Sequence, residues 1–215
     1  MTTCKNCGHQ FDLKFCPNCG QKASVKRIDF NSLIKDLPHA IWHFDRGFLF
    51  NVVQLFKRPG YAIKDYLDGK RKRFYHPLSY MLIVLAAMLV AMNLLNVHYY
   101  DPVQDAWMNP KQTAYWKEYD ATQQAWTHHY KYFIPVFLPL SSLIYWLWLR
   151  VMKQKYTYAE SVFISLFVSA QQTIPQIPVL LLAYLFNSTA FTRTSDFILN
   201  VGGLIILFFF QFYQL

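Results

Sequence analysis

The chain has 215 residues, of which 54% are hydrophobic and only 15% are charged. A typical soluble domain carries about 25% charged residues, so this composition argues against an ordinary soluble protein and points to a lipid environment. The formal net charge of +9 suits either an anionic membrane or nucleic acid, and the positions of the cations along the chain have to decide between them.

Four cysteines near the N-terminus form the pattern C-x2-C-x8-C-x2-C, and no other cysteine occurs in the sequence. Four thiolates in two close pairs are the ligand set of a closed tetrahedral zinc site. Residues 1–22 are too short to fold without such a metal. We therefore predict a zinc ribbon over 1–22, with a structural Zn²⁺ held by Cys4, Cys7, Cys16 and Cys19.

Two alternatives to structural zinc remain open, rubredoxin-like iron and a redox-active C-x2-C pair. The redox alternative lacks the thioredoxin-like βαβ pattern that usually accompanies it.

Phe11, Leu13 and Phe15 alternate with polar residues between the two cysteine pairs, which predicts a small hairpin. Three cations follow the ribbon, but so few are a weak signal, and we do not expect nucleic acid to be a partner.

Residues 28–76 form a second region, which we predict to be amphipathic and interfacial. Apolar side chains recur at steps of three and four over 28–56, which predicts a helix ended by Pro59-Gly60. A second short helix is predicted over 61–68 and closed by Gly69. We expect both helices to lie in the membrane interface, and a cytosolic bundle packed on itself is the alternative. Anionic headgroups should contact a basic collar made of Lys57, Arg58, Lys64, Lys70, Arg71, Lys72 and Arg73.

Residues 77–215 contain four long apolar segments, which predict an all-α membrane domain built as a bundle of four transmembrane helices. The predicted spans cover about 78–97, 132–149, 157–186 and 197–215. Thr157 and Glu160 form a T-x-x-E capping box at the start of the third span. The third segment is longer than a straight span requires, and polar or helix-breaking residues interrupt it. A transport site would be formed by these residues, which are Gln171, Gln172, Pro175, Gln176 and Pro178.

The cations alternate between the predicted loops. Residues 1–77 carry 14 Lys and Arg against 6 Asp and Glu, whereas 98–131 carries 3 against 4. The short loop 150–156 carries three cations and no acid. Because cytoplasmic loops are enriched in Lys and Arg, we predict that both termini are cytoplasmic.

Residues 57–77 read K-R-P-G-Y-A-I-K-D-Y-L-D-G-K-R-K-R-F-Y-H-P. The pattern R-P-G followed by I-x-x-Y-L-x-G-K-R, together with the cysteine head, resembles a family of bacterial inner-membrane proteins classified as a domain of unknown function. The resemblance implies a bacterial inner-membrane location and a zinc-ribbon head. It implies no reaction, substrate or catalytic residue. The chain ends inside its last apolar segment, as a truncated member would.

The sequence contains no G-x-S-x-G, P-loop or H-E-x-x-H motif. His39 and His43 share one face of the predicted helix, but a pair beside Trp42 is more typical of interfacial packing than of a metal site. We therefore interpret the chain as a non-enzymatic membrane protein whose ribbon is a platform for assembly with, or regulation of, an unidentified protein partner. A small transporter or channel component using the broken third span is one alternative, and a lipid-active membrane enzyme is another. The sequence leaves the oligomeric state open.

Overall fold

The computed structural model describes residues 1–29, 47–95, 98 and 100–202, and the side chains of all of these except 126–136, 200 and 201. The described part is mostly helical, which confirms the helical character of the predicted fold class. It contains the strands β1 (Thr2–Thr3) and β2 (Gln10–Phe11), the helices α1 (Gly47–Lys57), α2 (Pro59–Leu67), α3 (Pro77–Leu95), α4 (Pro110–Val151), α5 (Tyr158–Thr173), α6 (Gln176–Phe186) and α7 (Thr189–Phe197), and a final π-helical turn (Ile198–Gly202).

The N-terminal ribbon has a different strand pairing from the predicted one. β1 pairs antiparallel with β2, so the ladder encloses the first cysteine pair rather than lying between the two pairs. Phe15 forms a single bridge with Lys22, which encloses the second pair in the same way. Only Phe11 of the three alternating hydrophobic residues is buried, and it packs against Cys4 and Cys16.

The first predicted helix is present in part. Its C-terminal portion is α1, residues 28 and 29 are not helical, and residues 30–46, which include His39 and His43, lie outside the described part. The second helix, α2, begins at Pro59, two residues earlier than predicted. Its predicted end at Gly69 is confirmed: the Gly69 N–H donates to the Tyr66 carbonyl at 3.1 Å and the Lys70 N–H donates to the Asp65 carbonyl at 2.9 Å. This bond pattern is a Schellman motif.

The extended segment that leads into α3 is fixed by a buried amide. Asn51 in α1 has no exposed surface. Its Nδ2 donates to the Tyr75 carbonyl at 3.1 Å, and its Oδ1 accepts from the Tyr75 N–H at 3.0 Å. The side chain thereby satisfies both backbone groups of a buried residue that belongs to no helix. This pairing holds α1 against the segment before α3.

Two helical segments are long and apolar enough to cross a membrane, by length and composition alone: Pro77–Leu95 and Tyr158–Phe186. A shorter apolar helix, Phe137–Val151, forms the C-terminal part of α4. Of the predicted fourth span over 197–215, only residues up to 202 lie in the described part. The four-span bundle therefore stays a prediction.

The predicted loop over 98–131 is mostly helix, because α4 begins at Pro110 and runs for 42 residues. Asn109 caps this helix in a capping box with Gln112. Before α4, the buried carboxylate of Asp105 accepts from Arg193 at 2.7 and 3.1 Å and from the Thr189 hydroxyl at 3.1 Å. This cluster joins α7 to the segment that precedes α4.

The core is built around α5, which packs against α1, α2, α3 and α4. Its residues are buried on nearly all sides, including Phe163 and Phe167. Ile28, from the segment after the ribbon, belongs to the same hydrophobic cluster. In contrast, only 22% of the apolar stretch of α3 is buried within the protein. Large exposed hydrophobic side chains also cover α4 and α6, and so much exposed apolar surface is more typical of a lipid-facing protein than of a soluble one.

Candidate metal centre

The two cysteine pairs lie in turns of the same geometry. The Gly8 N–H donates to the Cys4 carbonyl at 2.9 Å, and the Gly20 N–H donates to the Cys16 carbonyl at 2.8 Å. Both glycines have positive φ, +76° and +71°. A side chain at either position would strain this backbone, which is why glycine follows the second cysteine of each pair. The turns direct both thiols of each pair toward one point.

The four sulfurs form one cluster. All four Sγ atoms lie within 4.8 Å of one another. The Sγ atoms of Cys4 and Cys19 are 3.5 Å apart, as are those of Cys7 and Cys16. A tetrahedral site with Zn–S bonds of about 2.3 Å places its sulfurs about 3.8 Å apart. The geometry therefore fits a metal ion bound by four thiolates, as the sequence predicted, with no position left for a substrate.

The thiols differ in acidity before any metal binds. The backbone N–H of His9 lowers the pKa of Cys7 below the ordinary value of a thiol. Burial raises the pKa of Cys16 above that value, so Cys16 gives up its proton less readily. A bound cation has to displace that proton, since the thiolate is the form that ligates metal. Metal affinity should therefore fall as the pH falls.

The ribbon docks on the turn between α2 and α3 through one buried side chain. Gln21, which follows Gly20, is only 5% exposed. Its Nε2 donates to the Gly69 carbonyl at 2.9 Å. Its Oε1 accepts from the backbone N–H groups of Arg71 and Lys72, at 3.1 and 3.2 Å. The amide therefore satisfies three backbone groups of this turn, residues 69–72, which we call the docking turn.

Gly69 also allows the close approach of the ribbon. It has a φ of +105°, which favours glycine. A Cβ atom at this position would lie 2.9 Å from Cδ of Lys5 and 3.2 Å from Cγ1 of Val25. The glycine of the G-K-R pattern therefore serves two purposes, because it ends α2 and leaves room for the ribbon.

A second anchor joins the segment after the ribbon to the start of α5. Arg27 donates from Nε and Nη2 to the two carboxylate oxygens of Glu160, each at 2.8 Å, and from Nη2 to the Lys155 carbonyl at 2.9 Å. The Glu160 carboxylate raises the pKa of Arg27. Glu160 also accepts from the Thr157 N–H at 2.8 Å, which confirms the predicted capping box. The carboxylate thus caps the helix and holds the ribbon segment.

The predicted basic collar has two parts in the structure. Arg71 is half-buried and donates to the Lys26 carbonyl at 3.1 Å. Lys70 and Arg58 both pair with the carboxylate of Asp65, at 2.6 and 3.3 Å. These three cations therefore have protein partners. The other four are exposed, and their lipid contact stays a prediction; they are Lys57, Lys64, Lys72 and Arg73.

The predicted transport residues flank the break between α5 and α6. Gln171 is buried and accepts from the Tyr80 hydroxyl at 2.9 Å, and its Nε2 has no hydrogen-bond partner among the described residues. The other four are partly buried or exposed; they are Gln172, Pro175, Gln176 and Pro178. None of the five lines the cavity beside the docking turn, which is described below, or the smaller cavity between the start of α7 and the segment before α4. A transport site here stays a prediction.

Residues 45–89 match the sequence model of a family described as a protein of unknown function (DUF3667). No curated protein and no solved structure matches the chain. The matched segment contains α1, α2, the docking turn and the first part of α3, which supports the expected resemblance to a family of unknown function. The four cysteines lie outside this segment, so the metal centre rests on the geometry of the sulfurs.

Proposed function

We propose that the chain is a non-enzymatic, multi-pass membrane protein in which a zinc ribbon forms a platform for a protein partner. The observation that carries this proposal is that the ribbon is held in place and still exposes large hydrophobic side chains. It is fixed to the docking turn through Gln21. Its Leu13 and Phe15 are 64% and 57% exposed.

A ribbon closed by four thiolates takes its folding energy from the metal rather than from a large apolar core. The fold therefore does not account for the exposed side chains of Leu13 and Phe15. Leu13 and Phe15 are therefore free to serve recognition. Two large exposed hydrophobic side chains, two positions apart on so small a unit, are candidates for contact with a partner. We infer a protein as that partner and Zn²⁺ as the bound ion.

The membrane assignment has three supports. Two segments are long and apolar enough to span a bilayer. The exposed hydrophobic surface of α3, α4 and α6 suits lipid contact. The basic loop 150–156 lies at the same end of the helices as the ribbon, since Arg27 contacts the Lys155 carbonyl. With the positive-inside rule, this arrangement favours a four-span protein of the bacterial inner membrane, with the ribbon and both termini in the cytoplasm.

The test is co-purification of partners from membranes solubilised in mild detergent, followed by mass spectrometry. The ribbon variant is Leu13→Ser with Phe15→Ser. The matched control is Val103→Ser with Trp107→Ser, which changes two hydrophobic residues outside the ribbon that are 84% and 71% exposed. We expect a stoichiometric partner with the wild type and the control, and its loss in the ribbon variant while zinc content is kept. Recovery of the same proteins with all three forms, or of none with the wild type, would contradict the platform.

A further inference from the structure

A cavity of about 480 Å³ lies where the ribbon, the docking turn and the loop between α4 and α5 meet. Two acidic side chains, Asp68 and Glu160, contribute to its wall. Five cationic side chains line it, and they are Lys5, Lys26, Arg27, Arg71 and Lys155. The cavity therefore carries a net charge of plus three.

An ion pair within the cavity wall concentrates the excess positive charge on the remaining cations. Arg27 and Glu160 neutralise each other through their two 2.8 Å contacts. The ammonium groups of Lys26 and Lys155 have no hydrogen-bond or ion-pair partner among the described residues. Like charges gathered around one partly enclosed space repel one another, and an anion in that space would relieve the repulsion.

Arg71 is oriented in advance for such an anion. Its Nε donates to the Tyr66 carbonyl at 3.3 Å and its Nη2 donates to the Lys26 carbonyl at 3.1 Å. Its guanidinium also lies over the Tyr66 ring, 5.5 Å from the centroid. Arginine has five N–H donors, so further donors remain after these contacts. A guanidinium held in place loses little freedom when it binds a phosphate oxygen.

We propose that this cavity binds a phosphate-bearing anion, with Lys26, Arg71 and Lys155 as its main ligands. The volume lies in the range of about 300 to 1,000 Å³ that is usual for small-molecule sites, so the ligand is larger than a single phosphate. A phospholipid headgroup and a soluble phosphorylated compound share this chemistry. Because the ribbon and the helices build the wall together, the bound anion strengthens their docking. The proposal rests on the folded, docked ribbon of the proposed function.

The soluble source is tested with pyrophosphate and the full chain in an uncharged detergent at low salt, by titration calorimetry. The cavity variant is Lys26→Gln with Lys155→Gln. The control is Lys14→Gln with Lys22→Gln, which removes the same charge from exposed positions outside both the cavity and the basic collar. We expect saturable binding that weakens by about tenfold or more in the cavity variant and stays within about twofold in the control, since hydrogen bonds to charged groups contribute substantially to affinity.

The lipid source is tested in nanodiscs of phosphatidylcholine that contain a small fraction of phosphatidic acid, by native mass spectrometry of the extracted chain. Retention of phosphatidic acid by the wild type and the control, but not by the cavity variant, identifies a headgroup site. Pyrophosphate binding with the same variant pattern identifies a soluble ligand. Either result supports the cavity.

Equal weakening in both variants, with either probe, would overturn the proposal, because the binding would then follow overall surface charge. Absence of binding with both probes would also overturn it. Zinc is measured in every sample. Intact zinc with no selective anion binding refutes this site alone, whereas wild-type protein without metal refutes the proposed ribbon as well.

Discussion

The docking of the ribbon through Gln21 leads to a quantitative prediction. In Gln21→Ala, three backbone groups of the docking turn lose their partner: the Gly69 carbonyl and the N–H groups of Arg71 and Lys72. Leaving a buried polar group unpaired costs about 1 to 3 kcal/mol, and water can reach part of this site once the side chain is truncated. We therefore expect docking to weaken by about 2 to 4 kcal/mol, which corresponds to an increase of about 30- to 900-fold in the undocked population.

Hydrogen–deuterium exchange of the full chain in detergent measures this change, because local opening governs amide exchange. Peptides that cover 70–74 and 20–29 should both exchange faster in Gln21→Ala. The zinc content should be unchanged, since the Gln21 carbonyl, which accepts from the Cys16 N–H at 2.8 Å, is retained. Gln10→Ala, an exposed position in the same ribbon, is the control. Unchanged exchange in both segments, or equal acceleration in the control, would refute the docking.

Three further predictions concern stability. Lys153, with a φ of +57°, ends α4 in a conformation that favours glycine, so Lys153→Gly should raise the free energy of unfolding by about 1 kcal/mol in chemical denaturation. Gly69→Ala should have the opposite effect and should open the ribbon to proteases, because the new Cβ lies 2.9 Å from Lys5 and φ is +105°. Burial raises the pKa of Asp105, but hydrogen bonds, including those from Arg193 and Thr189, together lower it by more than burial raises it. The pKa of Asp105 therefore lies below its ordinary value. The stability from this carboxylate is therefore present above about pH 4 and is lost as the pH falls through the folded-state pKa, and Asp105→Asn should flatten that acid limb of a melting-temperature profile.

Short-range signals account for the features that the sequence predicted well. The glycines after the cysteine pairs, the T-x-x-E box at Thr157 and the end of α2 at Gly69 each depend on residues within about one turn. The start of α4 had such a signal too, because Asn109 and Gln112 form a capping box around a first-turn proline. Residues 110–131 are also rich in polar side chains, which from sequence alone favours a loop between two spans.

The docking of the ribbon could not be predicted, because its contacts join residues far apart in the chain. Gln21 and Gly69 are 48 positions apart, and Arg27 and Glu160 are 133 apart. Hydrophobic periodicity reports on residues within one helix or strand, so it does not predict a contact between residues this far apart in the chain. Gln21 also binds backbone groups of the docking turn, and the side-chain composition of that turn suggested only a cationic surface for lipid.

The metal content of the full chain tests the central claim most directly. Inductively coupled plasma mass spectrometry of protein purified in detergent should find one zinc per chain in the wild type. Cys16→Ser should lose it, and the 70–74 segment should then exchange faster, because an unfolded ribbon cannot present Gln21. Less than half an equivalent of zinc in the wild type, iron in its place, or unchanged zinc in Cys16→Ser would contradict the account.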